Sequence, residues 1–230
     1  MCDRAVPQQN LCAELAALLT TLPDSAPDFP AAASWLAAFW QTLAEKWTSI
    51  DALRLEKFLL LVRRVLAASF EWARSSSDSA TAGPQRRTKK KKQGKENSAE
   101  QAAAGRRAAL LAVLRSLPFE PTGDLSKMPV GLRLHVLDIW VDEAERVGLL
   151  PSDGEDEVEE EDDDNEDRAF LDQLRPLVEA QLKSPCKPVR VRAKESLADE
   201  RLPWNRGRGA KDDGSDESDG EDDGWAGFKD

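Results

Sequence analysis

The sequence lacks several residue types on which common functional sites depend. It contains no tyrosine, one histidine and three cysteines among 230 residues. The cysteines at positions 2, 12 and 186 fit neither a metal-ligand spacing nor a paired disulfide framework, so we predict reduced thiols. The longest unbroken apolar run, Ala108–Leu114, is far too short to span a bilayer. We therefore expect a soluble intracellular protein with no metal, no cofactor, no membrane partner and no small-molecule substrate.

Recognisable catalytic motifs are missing as well. The single histidine, His135, has Asp138 nearby but no placed nucleophile, which is more typical of a surface pair than of a catalytic dyad. Gly207 and Gly209 follow no predicted strand and precede no helix, so they do not form a phosphate-binding loop. We predict that the protein is not an enzyme.

The hydrophobic pattern predicts helices and no strands. Apolar residues recur at helical spacing along the chain, whereas β-type alternation is absent. The pattern favours an all-α fold, either an irregular helical-repeat (HEAT-like) stack or a helical bundle. Pro176 is expected to bend or divide its helix. The predicted helices span residues 7–21, 30–47, 50–74, 98–117, 129–147, 168–182 and 188–201.

Residues 39–66 form the most strongly patterned part of the chain. Trp40 and Trp47 lie on one apolar face of the second predicted helix, and the third is apolar on nearly all sides. A helix of that kind is normally central, with neighbours packed around it. The short hinge at 48–49 predicts that these two helices form an antiparallel pair.

Two charged residues interrupt this apolar region. Asp51 and Arg54 lie three residues apart, a spacing at which side chains meet on a helix surface. A charge on an apolar face is costly unless it is paired, so we predict a partly buried ion pair between them. Trp140, in the fifth predicted helix, is assigned to the core as well.

Charged segments divide the helical sequence. The net charge of −11 comes largely from acidic residues within 151–167 and 207–230, whereas 75–97 is basic. Such segments bury little apolar surface and are predicted to be disordered. We therefore predict a helical domain at 1–150 that contains the basic loop, an acidic linker, a C-terminal helical segment of the same domain at 168–206, and an acidic tail.

Basic residues provide the candidate contact sites. A dense run in the basic loop is typical of a nuclear import signal or a nucleic-acid contact, with a merely solubilising loop as the alternative. Its members are Arg86, Arg87, Lys89, Lys90, Lys91 and Lys92. Further candidates, for which ordinary solvent exposure is the alternative, are Arg63, Arg64, Arg190, Arg192 and Lys194. For the last three, pairing with the acidic linker is a second alternative. Lys183 and Trp204, close to the last group in sequence, add a cation and an aromatic ring suited to RNA.

The acidic segments are suited to basic proteins rather than to nucleic acid, because like charges repel. Their expected targets are ribosomal proteins, histones or assembly factors. Some serines in or beside these segments are followed by acidic residues, which predicts phosphorylation by an acidophilic kinase. These serines are Ser152, Ser215 and Ser218.

Several stretches resemble the ribosomal RNA-processing protein 1 family. They read MCDRAVPQQNLCAELAALL at the start, FWQTLAEKWTSIDALRLEKFLLLVRRVL at 39–66, MPVGLRLHVLDIWVDEAERVG at 128–148 and SPCKPVRVRAKESLADERL at 184–202. They occur in the order found in that family, whose members carry further helices upstream. The first helix here is therefore expected to lack part of its packing partner on the face formed by Leu11, Leu15 and Leu18.

The resemblance implies a function as well as a fold. It implies a non-catalytic nucleolar assembly factor that acts as a helical scaffold in the processing of precursor ribosomal RNA for the large (60S) subunit. The implied partners are pre-60S proteins, a nuclear import receptor and, if RNA is contacted directly, the precursor RNA itself. The alternative is an acidic histone chaperone or chromatin adaptor that binds basic proteins through the acidic segments.

Overall fold

A computed structural model describes residues 4–22, 31–74, 89–150 and 161–206, with side chains described throughout these ranges except at 89–99 and 161–164. The described residues form α-helices and short 3-10 turns, with no strand among them. The predicted all-α class is confirmed. The helices are α1 (Ala5–Thr21), α2 (Ala31–Lys46), α3 (Leu55–Arg74), α4 (Lys89–Ser116), α5 (Val130–Arg146), α6 (Glu161–Glu179) and α7 (Lys187–Leu197).

Helix α3 lies at the centre of the packed helices. It contacts α1, α4 and α5, and the successive residues Leu66, Ala67 and Ala68, which point to different sides of the helix, are all buried. A helix with apolar residues on nearly every side needs several neighbours to remove them from water. The predicted central position of this helix is confirmed.

The predicted antiparallel pairing of α2 with α3 is wrong. α2 packs against α4 and α1, and the most extensive neighbour of α3 is α1. The reason lies in the connection, which contains two 3-10 turns, Trp47–Ser49 and Ala52–Arg54, with extended backbone at Ile50 between them. This connection is longer than a simple hinge and carries the chain away from α2.

The same connection overturns the predicted ion pair between Asp51 and Arg54. Both side chains are exposed, and α3 begins only at Leu55. Asp51 precedes the second 3-10 turn, where its carboxylate accepts a hydrogen bond from the backbone N–H of Leu53 at 3.0 Å. An aspartate in front of a helical turn satisfies a backbone donor that would otherwise lack a partner. Asp51 and Arg54 are therefore surface residues rather than core residues.

The large aromatic residues differ in their burial. Trp40 and Trp140 are completely buried. Trp47 is half-buried, and its indole Nε1 lies close to Gly131 of α5, where a Cβ atom would approach it to 3.0 Å. Glycine at position 131 thus allows the start of α5 to sit against the indole ring.

Two helices begin earlier than predicted. α4 begins at Lys89 rather than at 98, and α6 begins at Glu161 rather than at 168. Lysine, glutamine and glutamate are good helix formers, and acidic residues at the start of α6 are favoured by the helix dipole. Helical backbone thus extends into the charged segments at 89–97 and 161–167, whose disorder stays a prediction, and the rest of those segments lies outside the described residues. α6 also continues through Pro176 to Glu179 instead of dividing there.

One face of α1 is partly exposed in the part of the chain that the structure describes. Cys12, Ala16 and Leu19 are buried, whereas Leu11 is 47% and Leu18 is 40% exposed. The intervening Leu15 is half-buried. Burial also raises the pKa of the Cys12 thiol, which favours its neutral form.

Candidate functional site

A groove lies between α6, the 3-10 turn Ala180–Lys183, α7 and the segment that follows α7. Its volume is about 640 Å³, and its walls combine three cationic side chains, one carboxylate and one indole ring with apolar surface. We call it the C-terminal groove. The side chains that give it its chemical character are Arg175, Glu179, Lys183, Lys194, Leu197 and Trp204.

Trp204 is held in the groove by the segment at 198–206. Its indole Nε1–H donates to the carbonyl of Leu197 at 3.2 Å. The neighbouring Asn205 donates from its side-chain amide to the carbonyls of Leu197 at 2.7 Å and Asp199 at 2.8 Å. Leu202 is completely buried beneath this segment. The ring of Trp204 is therefore fixed before any ligand arrives.

Arg175 of α6 lies against this ring. Its guanidinium carbon is 5.0 Å from the centre of the Trp204 ring, which is a favourable cation–π distance. Its Nε forms an ion pair with Glu179, one helical turn later, at 2.7 Å. The guanidinium group is thus positioned from two directions, and it presents a planar cation to the groove.

A buried polar network positions the 3-10 turn that carries Lys183. Gln181 in this turn donates to the carbonyl of Glu120 at 3.2 Å, and its side-chain oxygen accepts from Arg133 at 2.7 Å. Arg133 is only 1% exposed and also donates to the Glu120 carbonyl at 2.7 Å. The turn is therefore attached to α5 and to the segment after α4 through fully buried hydrogen bonds.

The carboxylate of Glu120 completes this network. Burial disfavours its ionised form, but hydrogen bonds from Thr122 and the backbone of Asp124, with the charge of Arg133, outweigh that effect and lower the pKa of Glu120. The nearest Arg133 nitrogen is 3.7 Å from the carboxylate. The site thus holds a buried cation and a buried anion together.

The segment after α7 is also attached to α5. Arg201 pairs with Asp142 at 3.1 Å and with Glu145 at 2.6 Å, and within its own segment it pairs with Asp199 at 2.7 Å. The hydrogen bond from Arg201 lowers the pKa of Asp199, and the same carboxylates raise the pKa of Arg201. These ion pairs hold the segment after α7 in place. They thereby help to position Trp204, three residues further on, against α6.

The predicted basic-surface residues fall into different environments. Arg63 is engaged, because it pairs with Asp142 and with the buried Glu143 of α5, each at 2.6 Å. The adjacent Arg64 is exposed on the outer side of α3. The structure therefore separates two neighbouring arginines that the sequence placed in one group.

The three predicted residues of α7 are likewise not equivalent. Arg190 donates to the carbonyls of Ser184 and Pro185 at 2.8 and 3.1 Å. Arg192 pairs with Asp138 of α5 at 2.8 Å. Lys194 is exposed and lines the C-terminal groove. Of these three residues, Lys194 is the one that lines the C-terminal groove.

Several predicted residues cannot be placed in three dimensions. Arg86 and Arg87 lie outside the described residues, as do the predicted phosphorylation sites Ser152, Ser215 and Ser218. The lysines at 89–92 belong to the first turn of α4, but their side chains are not among those described. These sites remain sequence predictions.

His135 is not the surface residue that the sequence suggested. It is half-buried between α5 and α3, and its Nε2 lies 3.0 Å from the carbonyl oxygen of Leu59. Because a carbonyl can only accept, this nitrogen carries the proton. Burial lowers the pKa of His135, so that the neutral ring is favoured. The predicted surface position of His135 is wrong, although the nearby charge of Asp138 opposes the lowering of its pKa. The ring serves as a contact between two helices.

Metal ligation finds no support in the part of the chain that the structure describes, where no cluster of three or more histidine, cysteine, aspartate or glutamate side chains is suited to an ion. Within the same ranges no helix is both long and apolar enough to cross a membrane.

Sequence reasoning missed part of the groove. The sequence indicates a cationic and aromatic group at Lys183, Lys194 and Trp204, but it gives no comparable indication for Arg175 and Glu179, which complete the groove. Their only signal in the sequence is the spacing of four residues, which is common on solvated helix faces. The groove could not be identified without knowing that the segment after α7 returns to α6.

Comparison with known proteins assigns this fold to a family. The family model described as "Nucleolar protein, Nop52" matches residues 1–227. Ribosomal RNA processing protein 1 homolog B of Homo sapiens is 32% identical over 146 residues, covering 64% of this chain and 15% of that protein. Homolog A of Mus musculus is 29% identical over 114 residues, covering 50% of this chain and 18% of that protein. The matched region is therefore less than a fifth of these relatives' length. Because the family model covers nearly the whole sequence, the chain belongs to the Nop52 family of nucleolar proteins, the ribosomal RNA-processing protein 1 family.

Proposed function

We propose that this chain acts in the nucleolus in the processing of precursor ribosomal RNA, as a non-catalytic helical scaffold in the assembly of the large (60S) ribosomal subunit. The observation that carries this proposal is the family match across residues 1–227. The similar proteins of Homo sapiens and Mus musculus are named for ribosomal RNA processing. The more specific role, as a scaffold for precursors of the large subunit, is our inference for this chain.

The packing of the helices supports a scaffold. A single hydrophobic core continues from α1 to Leu202. Ion pairs connect elements that are distant in sequence, such as Arg74 of α3 with Asp167 of α6 at 2.9 Å and Arg107 of α4 with Glu166 at 2.7 Å. A body held together in this way presents surface residues in fixed relative positions, which is what an assembly factor requires of its docking faces.

The side chains most often used in catalysis have structural roles here. The only histidine donates to the Leu59 carbonyl between two helices. The buried carboxylates of Glu120 and Glu143 are each matched by an arginine. These contacts support a role in binding rather than in bond cleavage. The contacts with binding partners are expected to come from residues on the surface.

The proposed partners are proteins of the pre-60S particle, with a nuclear import receptor for delivery. The basic run from 86 to 92 supplies the expected import signal. Replacing its basic residues by alanine is expected to move a fluorescently tagged chain from the nucleus to the cytoplasm. Nuclear accumulation that is unaffected by the replacement would contradict this assignment.

Sedimentation tests the main proposal. The tagged chain, expressed in its native cells, is expected to comigrate in a sucrose gradient with precursors of the large subunit, and its depletion should alter their processing. A Trp40→Ala variant should lose comigration because it opens the core, whereas Leu53→Ala at a position that is 89% exposed should not. Sedimentation of the unaltered chain only as free protein would overturn the proposal.

A further inference from the structure

We propose that the C-terminal groove binds single-stranded RNA, with phosphates contacting Lys183, Lys194 and Arg175 and a base stacking against the Arg175–Trp204 pair. This inference rests on the proposed function, because RNA is the ligand that a ribosomal RNA-processing factor encounters. It goes beyond that function by naming a site and the groups that recognise the ligand.

The charge of the groove is not neutralised within the described protein. Lys183 and Lys194 are exposed, and neither forms an ion pair with any described residue. The one carboxylate in the groove, Glu179, contacts the Nε of Arg175. The two Nη groups of that guanidinium are left to donate to a ligand. A phosphodiester chain would supply the missing negative charge and release counterions on binding.

The aromatic component of the groove is fixed in advance. The ring of Trp204 is held by its hydrogen bond to Leu197, and the guanidinium of Arg175 lies over it at 5.0 Å. Bases exposed in single strands stack on aromatic rings and on arginine guanidinium planes. Because the platform is already ordered, a base that binds here avoids much of the entropic cost of arranging side chains.

The size of the groove favours a short stretch of single strand. Its volume of about 640 Å³ lies within the range of sites for small organic ligands. A duplex presents its bases internally and offers no exposed face to the platform. The groove is therefore suited to unpaired nucleotides flanked by phosphates.

An acidic peptide is the rival occupant, because it too would meet the three cations. The acidic residues at 212–223 of this chain are one source of such a peptide. Carboxylates pair with the edge of a guanidinium, but they do not stack on its face or on an indole ring, as a base does. The presence of that platform between the cations favours a nucleotide.

Binding of fluorescent single-stranded oligonucleotides to the full chain tests the proposal. The first probe is a short oligouridylate, and the second is an abasic oligonucleotide of equal length and charge, both at about 50 mM salt. We expect Lys183→Glu with Lys194→Glu to weaken binding of the oligouridylate by about tenfold or more. The slope of log affinity against log salt should fall by about 0.7 for each phosphate that the variant no longer neutralises.

A matched pair of substitutions provides the control. Lys127 and Lys187 are exposed lysines outside the groove lining, and Lys127→Glu with Lys187→Glu changes the net charge by the same amount. This control double variant should weaken binding of the oligouridylate much less than the groove double variant, Lys183→Glu with Lys194→Glu. Equal weakening by both pairs would overturn the proposal, because it would show attraction to the overall charge rather than binding in the groove.

The platform is tested separately by Trp204→Leu. The unaltered chain should prefer the oligouridylate over the abasic probe by about tenfold, and the variant should lose this preference while its affinity for the abasic probe changes little. An unchanged preference in the variant would overturn the stacking contact. Tight binding of a synthetic peptide of residues 212–223, without binding of the oligouridylate, would overturn the RNA assignment in favour of the acidic peptide.

The two proposals fail in different ways. One outcome is that the Lys183→Glu, Lys194→Glu double variant retains the full RNA affinity of the unaltered chain while the unaltered chain comigrates with large-subunit precursors. In that case the groove assignment fails and the proposed function stands. If RNA binds in the groove but the chain never comigrates with those precursors, the proposed function fails and the binding site stands.

Discussion

The interface between α3 and α5 and the C-terminal groove use arginine and lysine in opposite ways. At the interface, Arg63 pairs with Asp142 and Glu143 at 2.6 Å, so that its charge is neutralised by the neighbouring helix. In the groove, Lys183 and Lys194 face solvent without an ion pair among the described residues. The first arrangement attaches helices to each other, and the second leaves the ammonium groups exposed to solvent.

This comparison shows that the function of a basic residue depends on what the neighbouring element presents to it. Arg63 and Arg64 are adjacent in sequence, but successive residues of a helix point about 100° apart. Arg63 therefore meets α5, whereas Arg64 is exposed. Charge density along the sequence alone could not separate these roles.

The largest effect is expected from the buried cation beneath the groove. Arg133→Met should remove the partner of the buried Glu120 and of the Gln181 side chain, and should lower the free energy of unfolding by about 3–5 kcal/mol. Urea denaturation measures this change. The control is Arg192→Met, whose side chain is 49% exposed and which should cost less than about 1 kcal/mol. A small loss at Arg133 would show that the network contributes little to stability.

A smaller effect is expected at the interface between α3 and α5. Glu143 is 2% exposed in its side chain and pairs with both Arg63 and Arg146. Glu143→Gln keeps the shape but removes the charge, and we expect a loss of about 1–3 kcal/mol because both arginines are partly exposed and regain water. Glu145→Gln, at a more exposed partner of Arg201, is the control and should cost under about 1 kcal/mol. An equal loss of unfolding free energy in the two variants would show that burial of the carboxylate does not determine its contribution to stability.

The same interface should respond to pH through His135. Its pKa is lowered by burial in the folded state, so the unfolded chain binds more protons as pH falls below the ordinary value of about 6.5. The stabilisation is complete above that value and decreases as pH falls through the pKa of the folded state. Denaturation between about pH 7.5 and 5.5 should show this decrease, and His135→Gln should reduce it. A pH profile that is identical in the variant would exclude His135 as its source.

The helical class and the central helix could be predicted because both follow from periodicity. The apolar residues of α3 cover most of its surface, and this pattern predicts several neighbours. The boundaries of the helices are less predictable from the sequence. The sequence assigns Asp51 to the core because it predicts that the third helix starts at residue 50. In the structure a 3-10 turn precedes α3 and places Asp51 at the surface.

The groove was only partly predictable because it is formed by tertiary contacts. Lys194 and Trp204 are close in sequence and could be grouped, but Arg175 meets Trp204 only through the tertiary packing of the last segment, to which the ion pair of Arg201 with Glu145 contributes. His135 likewise has no local signal for its bond to Leu59, which lies on another helix. Contacts between distant segments are specified by packing of the whole core, and a single sequence does not display them.

The smallest effect on stability is expected in the groove itself. Lys183→Glu with Lys194→Glu alters two exposed side chains that have no ion-pair partner among the described residues, so the free energy of unfolding should change by no more than about 0.5 kcal/mol. Denaturation of this double variant beside Lys127→Glu with Lys187→Glu measures the difference. A decrease well above about 1 kcal/mol would show that these lysines stabilise the fold as Arg63 does, and would remove the contrast between the two regions. With stability unchanged, a weaker RNA affinity in the same variant can be attributed to the groove, because the surrounding helices remain folded.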